Sequence, residues 1–155
     1  MIFDIIPVTT IHNTACGPTC LKMLLAYYGH DVPLDDLIRE CGVSVNGCTA
    51  KDVIRVGRAH GLTDMAAYKE DAAALLRQDR PAIINWRYNH FVVYCGTNEI
   101  GEPVICNPGR GMYPIDAGTF RTLYTGIALS NGRPEDMMPE DFFGEHEPEP
   151  DYFDE

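Results

Sequence analysis

The sequence predicts an α+β domain, with helices in the first half and an antiparallel sheet in the second. Three observations support this prediction. Apolar residues recur at the helical period between residues 16 and 60, short apolar runs bounded by turn residues follow from residue 82, and the chain contains no internal repeat. A chain of 155 residues with 45% hydrophobic and 23% charged residues fits one domain with a substantial core.

The most informative stretch covers residues 13–29 and reads NTACGPTCLKMLLAYYG. Four apolar residues recur at the spacing i, i+3, i+4 and i+7 and form one stripe of a helix: Leu21, Leu24, Leu25 and Tyr28. We expect this helix to begin at Cys16, because Pro18 suits a first helical turn, where no backbone N–H partner is needed. Gly29 is expected to end it.

This helix places Cys16 at its N-terminus. Free backbone N–H groups and the positive end of the helix dipole favour a thiolate there, and the thiolate is the nucleophilic form of cysteine. The alternative is a small apolar residue at the start of a buried helix, since most buried cysteines are inert. The stretch alone does not separate these two interpretations.

Three further helices are expected between residues 35 and 78. Residues 35–40 form the first of them. Thr49, followed three residues later by Asp52, matches a capping box and starts a helix over residues 49–60. Residues 71–78, rich in Ala and Leu, form the third.

Short apolar runs bounded by Gly, Pro or Asn predict the strands: residues 62–68, 82–86, 90–95, 104–106 and 126–129. Residues 116–124 are expected to form a short helix before the last strand. Residues 2–8 alternate loosely and form either an edge strand or an arm laid on the core.

The net charge of −11 belongs mainly to the end of the chain. Residues 134–155 hold ten acidic residues and no Lys or Arg, which leaves 13 acids against 12 bases elsewhere. We expect a domain over residues 1–130 and an acidic, disordered tail over residues 131–155. The tail is either a solubilising segment or, through its aromatic residues, a segment that docks on a partner or on the domain's own cleft. A near-neutral domain with an acidic end argues against nucleic acid as a partner.

Other classes of protein are excluded by what the sequence lacks. It has no apolar run long enough to span a membrane and no basic segment typical of a signal peptide, so we expect a cytoplasmic protein with reduced thiols. Without a Cys-x-x-Cys pair, and with scattered histidines, a zinc site is not expected, nor is a cofactor. Five cysteines are interpreted as packing or loop residues: Cys20, Cys41, Cys48, Cys95 and Cys106.

A nucleophilic cysteine needs a base, and the base needs an orienting group. His90 opens an apolar strand, where it can face a cleft, and Asn107 ends the next strand. Asn107 could accept the Nδ1–H of His90 and fix its tautomer. The alternatives are a surface His on an edge strand and a turn-initiating Asn before Pro108. The strand register that would bring the pair together is left open by the sequence.

The chain resembles the papain-like cysteine endopeptidases that process bacteriocins. The motifs that carry the resemblance occur in the family's order: CGPTCLKML from Cys16 and Tyr-Tyr-Gly at 27–29, Leu34-x-x-Leu37, Gly47-x-Thr49, Ala59-x-Gly61-Leu62, Pro81-Ala82-Ile83 before Trp86, His-Phe-Val-Val from His90, Asn107-Pro108-x-x-Gly111, and Phe120. These enzymes cut leader peptides after a double glycine, usually as the N-terminal domain of a peptide-exporting ABC transporter. The resemblance covers roughly residues 5–130 and implies a papain-like fold.

The resemblance implies that Cys16 is the nucleophile, His90 the base and Asn107 the orienting residue, where the family normally has Asp. It also exposes a difference at the oxyanion hole, the set of donors that holds the charged oxygen of the tetrahedral intermediate. The family carries a Gln about six residues before the Cys, and losing one such donor typically costs ~10²–10³ in rate. This chain has Thr10 in that place. A protonated His12 or the Asn13 amide could donate instead, and the backbone N–H of Cys16 would be the remaining donor.

These implications lead to one expected function and two alternatives. We expect a stand-alone cysteine peptidase that cuts a leader or similar peptide after small residues, with Gly-Gly as the candidate site, through an acyl-enzyme. Its partners would be a peptide or protein substrate and a peptide exporter met in trans. The alternatives are an inactive peptide-binding module of the same fold and a related amidase or transpeptidase.

Overall fold

The computed structural model describes residues 1–45 and 47–132. In chain order these residues form α1 (Cys16–Tyr27), α2 (Leu34–Cys41), α3 (Ala50–Ala59), β1 (Met65–Lys69), α4 (Ala72–Leu75), β2 (Ala82–Trp86), β3 (His90–Thr97), β4 (Pro103–Asn107), β5 (Gly111–Pro114), α5 (Ala117–Leu123) and β6 (Tyr124–Asn131). The α+β prediction is confirmed. Asn131 ends β6, and the predicted acidic tail beyond Gly132 lies outside the described residues.

The sheet has the strand order β1-β6-β2-β3-β4-β5, and every neighbouring pair is antiparallel. The predicted strand 82–86 is confirmed in full. Strand β5 was missed because none of its four residues is fully buried, so no apolar run marks it. The helix predicted over residues 71–78 is shorter, Ala72–Leu75, and Asp71 caps it by accepting the N–H of Ala74 at 2.8 Å.

Helix α1 is buried far beyond the single stripe that its sequence indicates. Nine of its twelve residues are buried, because it packs against β2 and β3 on one side and against α2 and α3 on the other. The one polar side chain among them, Thr19, donates its hydroxyl to the Ala15 carbonyl at 2.7 Å and is therefore satisfied. None of the helices in residues 1–45 and 47–132 has the length and apolar composition needed to cross a membrane.

The capping box predicted at the start of α3 is present. Thr49 Oγ1 accepts the N–H of Asp52 at 3.1 Å, and the N–H of Thr49 donates to the Asp52 carboxylate at 3.3 Å. The box fixes the first turn of α3. This helix packs on α1 and on β1.

Residues 2–8 form an arm on the core, because only a single bridge, Ile2 to Gly96, links them to the sheet. The N–H of Phe3 donates to the Cys95 carbonyl at 2.8 Å, and Phe3 is buried edge-on against Tyr27 and Tyr94. The arm therefore covers the edge of the core where α1 meets β3.

We expect Gly96→Ala to destabilise the domain by more than Gly101→Ala. Both glycines have positive φ, +105° and +84°, so an alanine is strained at either position by roughly 1–2 kcal/mol. At Gly96 an added Cβ would also lie against the backbone carbonyl of Met1, whereas at Gly101 it would meet no atom within 4 Å. Urea unfolding of the two variants measures the difference in free energy of unfolding. Equal losses in the free energy of unfolding would show that the N-terminal arm shifts away from residue 96 without a measurable cost.

Candidate active site

A strained turn sets the position of His90. Strands β2 and β3 are joined by residues 87–89, and Trp86 pairs with His90 across the turn. Arg87 and Tyr88 have φ values of 60° and 70°, a left-handed conformation that costs a non-glycine residue roughly 1–2 kcal/mol. The backbone N–H of Arg87 donates to the Leu123 carbonyl at 2.9 Å, which anchors the turn to α5.

His90 and Asn107 are in direct contact, with 3.0 Å between His90 Nε2 and Asn107 Oδ1. The strand register that the sequence left open explains this. Val93 pairs with Cys106 and Tyr94 with Ile105, so the end of β4 lies beside the beginning of β3.

The contact corrects the sequence-based expectation about the imidazole, because Asn107 meets Nε2 and not Nδ1. Asn107 Oδ1 also accepts the N–H of Gly109 at 3.0 Å, while its amide nitrogen faces the Tyr113 hydroxyl at 3.5 Å. This assigns Oδ1 as the acceptor on the His90 side, so Nε2 carries the hydrogen and donates it. Nδ1 is left without a hydrogen and can act as a base.

Cys16 lies at the start of α1, as predicted, and only 1% of it is exposed. Its sulfur accepts the backbone N–H groups of Phe91, Gly17 and Cys16 itself. Because Phe91 directly follows His90, the thiol lies against the beginning of β3, where the imidazole is held. Within the described residues, no hydrogen bond joins the Cys16 sulfur to the His90 ring.

Burial controls the protonation of both groups. It raises the pKa of Cys16 to about 12, and the backbone N–H groups that lower this pKa only partly offset the effect. Burial also lowers the pKa of His90 below its usual 6.5; the bond to Asn107 acts in the opposite direction, and nearby Arg87 adds to the lowering. Burial therefore opposes the thiolate that the helix N-terminus favours at Cys16, and it also opposes the charged form of the His90 imidazole.

The three residues named for the oxyanion hole lie on the segment that enters α1. The N–H of Thr10 donates to the Pro108 carbonyl at 2.7 Å, which ties this segment to the turn after Asn107. The Thr10 hydroxyl accepts the N–H of His12 at 3.1 Å, and His12 is exposed. Asn13 begins a short 3-10 turn, Asn13–Ala15, that runs into α1. Among the described hydrogen bonds, neither the Thr10 hydroxyl nor the His12 ring is joined to Cys16.

A cleft of about 710 Å³ opens beside the His90–Asn107 pair, and the residues that line it include Trp86, Arg87, Arg110 and Tyr113. Trp86 is 4% exposed and packs on Phe120 with 5.5 Å between ring centroids. It therefore both covers the core and lines the cleft.

All six cysteines are free and buried in the core, which confirms packing for the five that were interpreted as packing or loop residues. The thiols of two of them, Cys41 and Cys48, form a hydrogen bond with each other. This hydrogen bond and, next to it, burial of the thiol strongly raise the pKa of Cys48. Within residues 1–45 and 47–132, no group of three or more His, Cys, Asp or Glu side chains is arranged to hold a metal ion.

Comparisons with known proteins agree with the expected family. The model of the peptidase C39 family matches residues 6–135. Two Escherichia coli proteins, the colicin V secretion/processing ATP-binding protein CvaB and the probable microcin-H47 secretion/processing ATP-binding protein MchF, are each 29% identical over 126 residues. The match covers 79% of this chain but 18% of each relative, so the chain spans about a fifth of their length.

Solved structures show the same fold. A double glycine motif protease from an AMS/PCAT transporter, in complex with the leader peptide, superposes with a TM-score of 0.76 and 30% identity over 83% of this chain and 91% of that one. The peptidase domain of Streptococcus ComA, a bifunctional ABC transporter, has a TM-score of 0.64 and 19% identity over 82% and 96% of the two chains. At that identity the second match supports the fold alone.

We expect Asn107→Asp to raise the pKa of His90. An opposite charge within about 4–6 Å typically shifts a pKa by 1–3 units, and here a carboxylate would replace a neutral amide 3.0 Å from Nε2. An NMR titration of the imidazole C–H signals measures the shift, and the other four histidines serve as internal controls. An unchanged His90 pKa would show that the pair does not form in solution.

We expect alkylation of Cys16 by iodoacetamide to be slow near neutral pH and to accelerate as the pH rises toward 9. The raised thiol pKa keeps the thiolate scarce at neutral pH, and the lowered His90 pKa keeps the imidazole uncharged there. Mass spectrometry of wild type and His90→Ala gives the rate at each cysteine. Rapid, His90-dependent alkylation of Cys16 below about pH 7 would instead indicate a resting thiolate–imidazolium pair.

Proposed function

The chain belongs to the peptidase C39 family, and from this membership we propose that it is a cysteine endopeptidase that cuts a peptide after small residues, with Gly-Gly as the preferred site. One observation carries the proposal. His90 is held by Asn107 through Nε2, which leaves Nδ1 free, and the next residue, Phe91, donates its backbone N–H to the Cys16 sulfur. The proposed nucleophile, base and orienting group therefore lie within one small region, which supports the proposal.

In the proposed mechanism, the thiol of Cys16 attacks the scissile carbonyl as its proton passes to Nδ1 of His90. Proton transfer would accompany attack, because burial raises the pKa of Cys16 and lowers that of His90 and so favours the neutral form of each. The Asn107 carbonyl oxygen stabilises the imidazolium that forms, since its dipole points at the Nε2–H. The imidazolium then protonates the leaving amine, and water hydrolyses the acyl-enzyme.

The oxyanion would be held by the backbone N–H of Cys16 and by one donor from residues 10–13. Thr10 occupies the place of the family's Gln. Its hydroxyl oxygen already accepts the N–H of His12, so the hydroxyl hydrogen remains available to donate. A hydroxyl is shorter than a Gln amide, so we propose a slower enzyme than relatives that keep the Gln, by up to ~10²–10³-fold.

The substrate would be a peptide with a leader that ends in small residues. This follows from the relatives, one of which was solved with the leader peptide and two of which are secretion/processing proteins. A peptide exporter is the proposed partner, met either in trans or as part of a longer chain. The free thiols of all six cysteines fit the reducing conditions of the cytoplasm.

A second candidate is a peptide-binding module that does not cleave. The raised pKa of Cys16 and the missing Gln favour it, because each weakens catalysis without affecting a binding surface. An amidase or transpeptidase would form the same acyl-enzyme but pass it to an amine in place of water.

We expect the wild-type chain to cleave a synthetic leader peptide that ends in Gly-Gly and continues into a short cargo. Cys16→Ala should abolish cleavage, and His90→Ala should slow it by about 10²–10⁴-fold, the usual contribution of a general base. Cys20→Ala is the matched control, since Cys20 is also buried in α1, one turn further along. Mass spectrometry locates the cut and detects the acyl-enzyme.

Three results would contradict the peptidase proposal. Binding of the leader without any cut would favour the binding module. Equal loss of activity in Cys16→Ala and Cys20→Ala, with both variants folded, would remove Cys16 as nucleophile. Capture of the acyl group by an added amine in preference to water would identify a transpeptidase.

A further inference from the structure

The cleft beside the His90–Asn107 pair lies on one side of the proposed reaction centre. His90 and Asn107 line it, whereas Cys16 is not among the described residues that do. In the proposed mechanism the acyl half of the substrate stays on the sulfur and the imidazolium protonates the leaving amine. The part of the peptide that follows the scissile bond therefore lies on the imidazole side, where this cleft opens.

Two arginines give this cleft positive charge. Arg87 and Arg110 line it, both are exposed, and neither forms an ion pair with any residue in 1–45 or 47–132. The carboxylate that also lines the cleft, Asp116, is engaged at the start of α5, where it accepts the N–H and the hydroxyl of Thr119 at 2.9 Å each. The two guanidinium groups are thus left to meet a charge from outside the described domain.

Both arginines belong to anchored backbone segments at the cleft. Arg87 occupies the strained turn before His90, and its backbone is anchored to Leu123 at 2.9 Å. The Arg110 guanidinium lies over the Tyr113 ring, 4.2 Å from its centroid, and the backbone N–H of Arg110 donates to the Asn107 carbonyl at 2.8 Å. The backbone of Arg87 and the guanidinium of Arg110 are thus tied to segments that adjoin His90 and Asn107.

We propose that Arg87 and Arg110 are specificity-determining residues that bind acidic side chains in the first residues after the scissile bond. The proposal rests on the proposed function, because the cleft is assigned to the half of the peptide that leaves as the amine. Guanidinium groups pair with carboxylates through parallel N–H donors, which suits a Glu or Asp side chain. The preferred substrate would then have small residues before the cut and acidic residues after it.

The test measures binding in the Cys16→Ala chain, so it does not depend on turnover. Three acetylated, amidated peptides, Gly-Gly-Glu-Glu, Gly-Gly-Ala-Ala and Gly-Gly-Lys-Lys, are titrated against the labelled protein by NMR. We expect the Glu peptide to bind about five-fold more tightly than the Ala peptide, as two exposed ion pairs allow, and the Lys peptide to bind most weakly. The preference should shrink in about 1 M salt, where the Debye length falls to about 3 Å.

The double variant Arg87→Gln/Arg110→Gln should remove the preference for Glu while the Ala peptide binds as before. Arg77→Gln is the matched control, because Arg77 is an exposed arginine outside the cleft lining. Equal binding of the three peptides, no binding of any, or a Glu preference that survives the double variant would each overturn the proposal. Cleavage of the leader peptide by the active chain is scored separately, so failure of this specificity is distinguishable from failure of the peptidase function.

Discussion

The burial of α1 between the sheet and helices α2 and α3 is the constraint on which the rest of the structure depends. A helix enclosed on most faces can neither rotate nor slide without exposing apolar side chains, each worth roughly 1.5–3 kcal/mol. Its first residue, Cys16, is thereby fixed against the beginning of β3, where Phe91 contacts the sulfur. The same burial removes water from the thiol and raises its pKa. The packing that positions the candidate nucleophile therefore also disfavours its reactive thiolate form.

The partner groups are positioned by the sheet. Asn107 reaches His90 because the antiparallel register of β3 and β4 brings the end of one strand beside the start of the other. The turn before His90 holds two non-glycine residues in left-handed conformations, and strain of this kind persists only where the surroundings determine the backbone. The anchor from Arg87 to Leu123 is one such determinant. Helix and sheet thus contribute separate parts of one site.

Local signals in the sequence were sufficient for much of the fold. The start of α1, the capping box at Thr49 and strand β2 follow from patterns contained within about ten residues each, where propensity and capping decide the structure. Strand β5 was not predicted, because a partly exposed edge strand has no apolar run that marks it in the sequence. Whether His90 and Asn107 meet, and through which nitrogen, depends on a register between strands, which is a tertiary property that no local window contains.

Protonation was the least predictable feature, and it follows from two opposing effects at Cys16. The helix N-terminus is worth at most ~2 kcal/mol to a negative charge, even in favourable, partly buried geometries. A rise of the thiol pKa from 9.0 to about 12 corresponds to roughly 4 kcal/mol, so desolvation prevails. An amide at residue 107 fits this balance, because it orients the imidazole without adding a charge that would protonate it at rest. In the proposed mechanism the ion pair therefore forms during attack, when the developing oxyanion and the imidazolium stabilise each other inside the filled site.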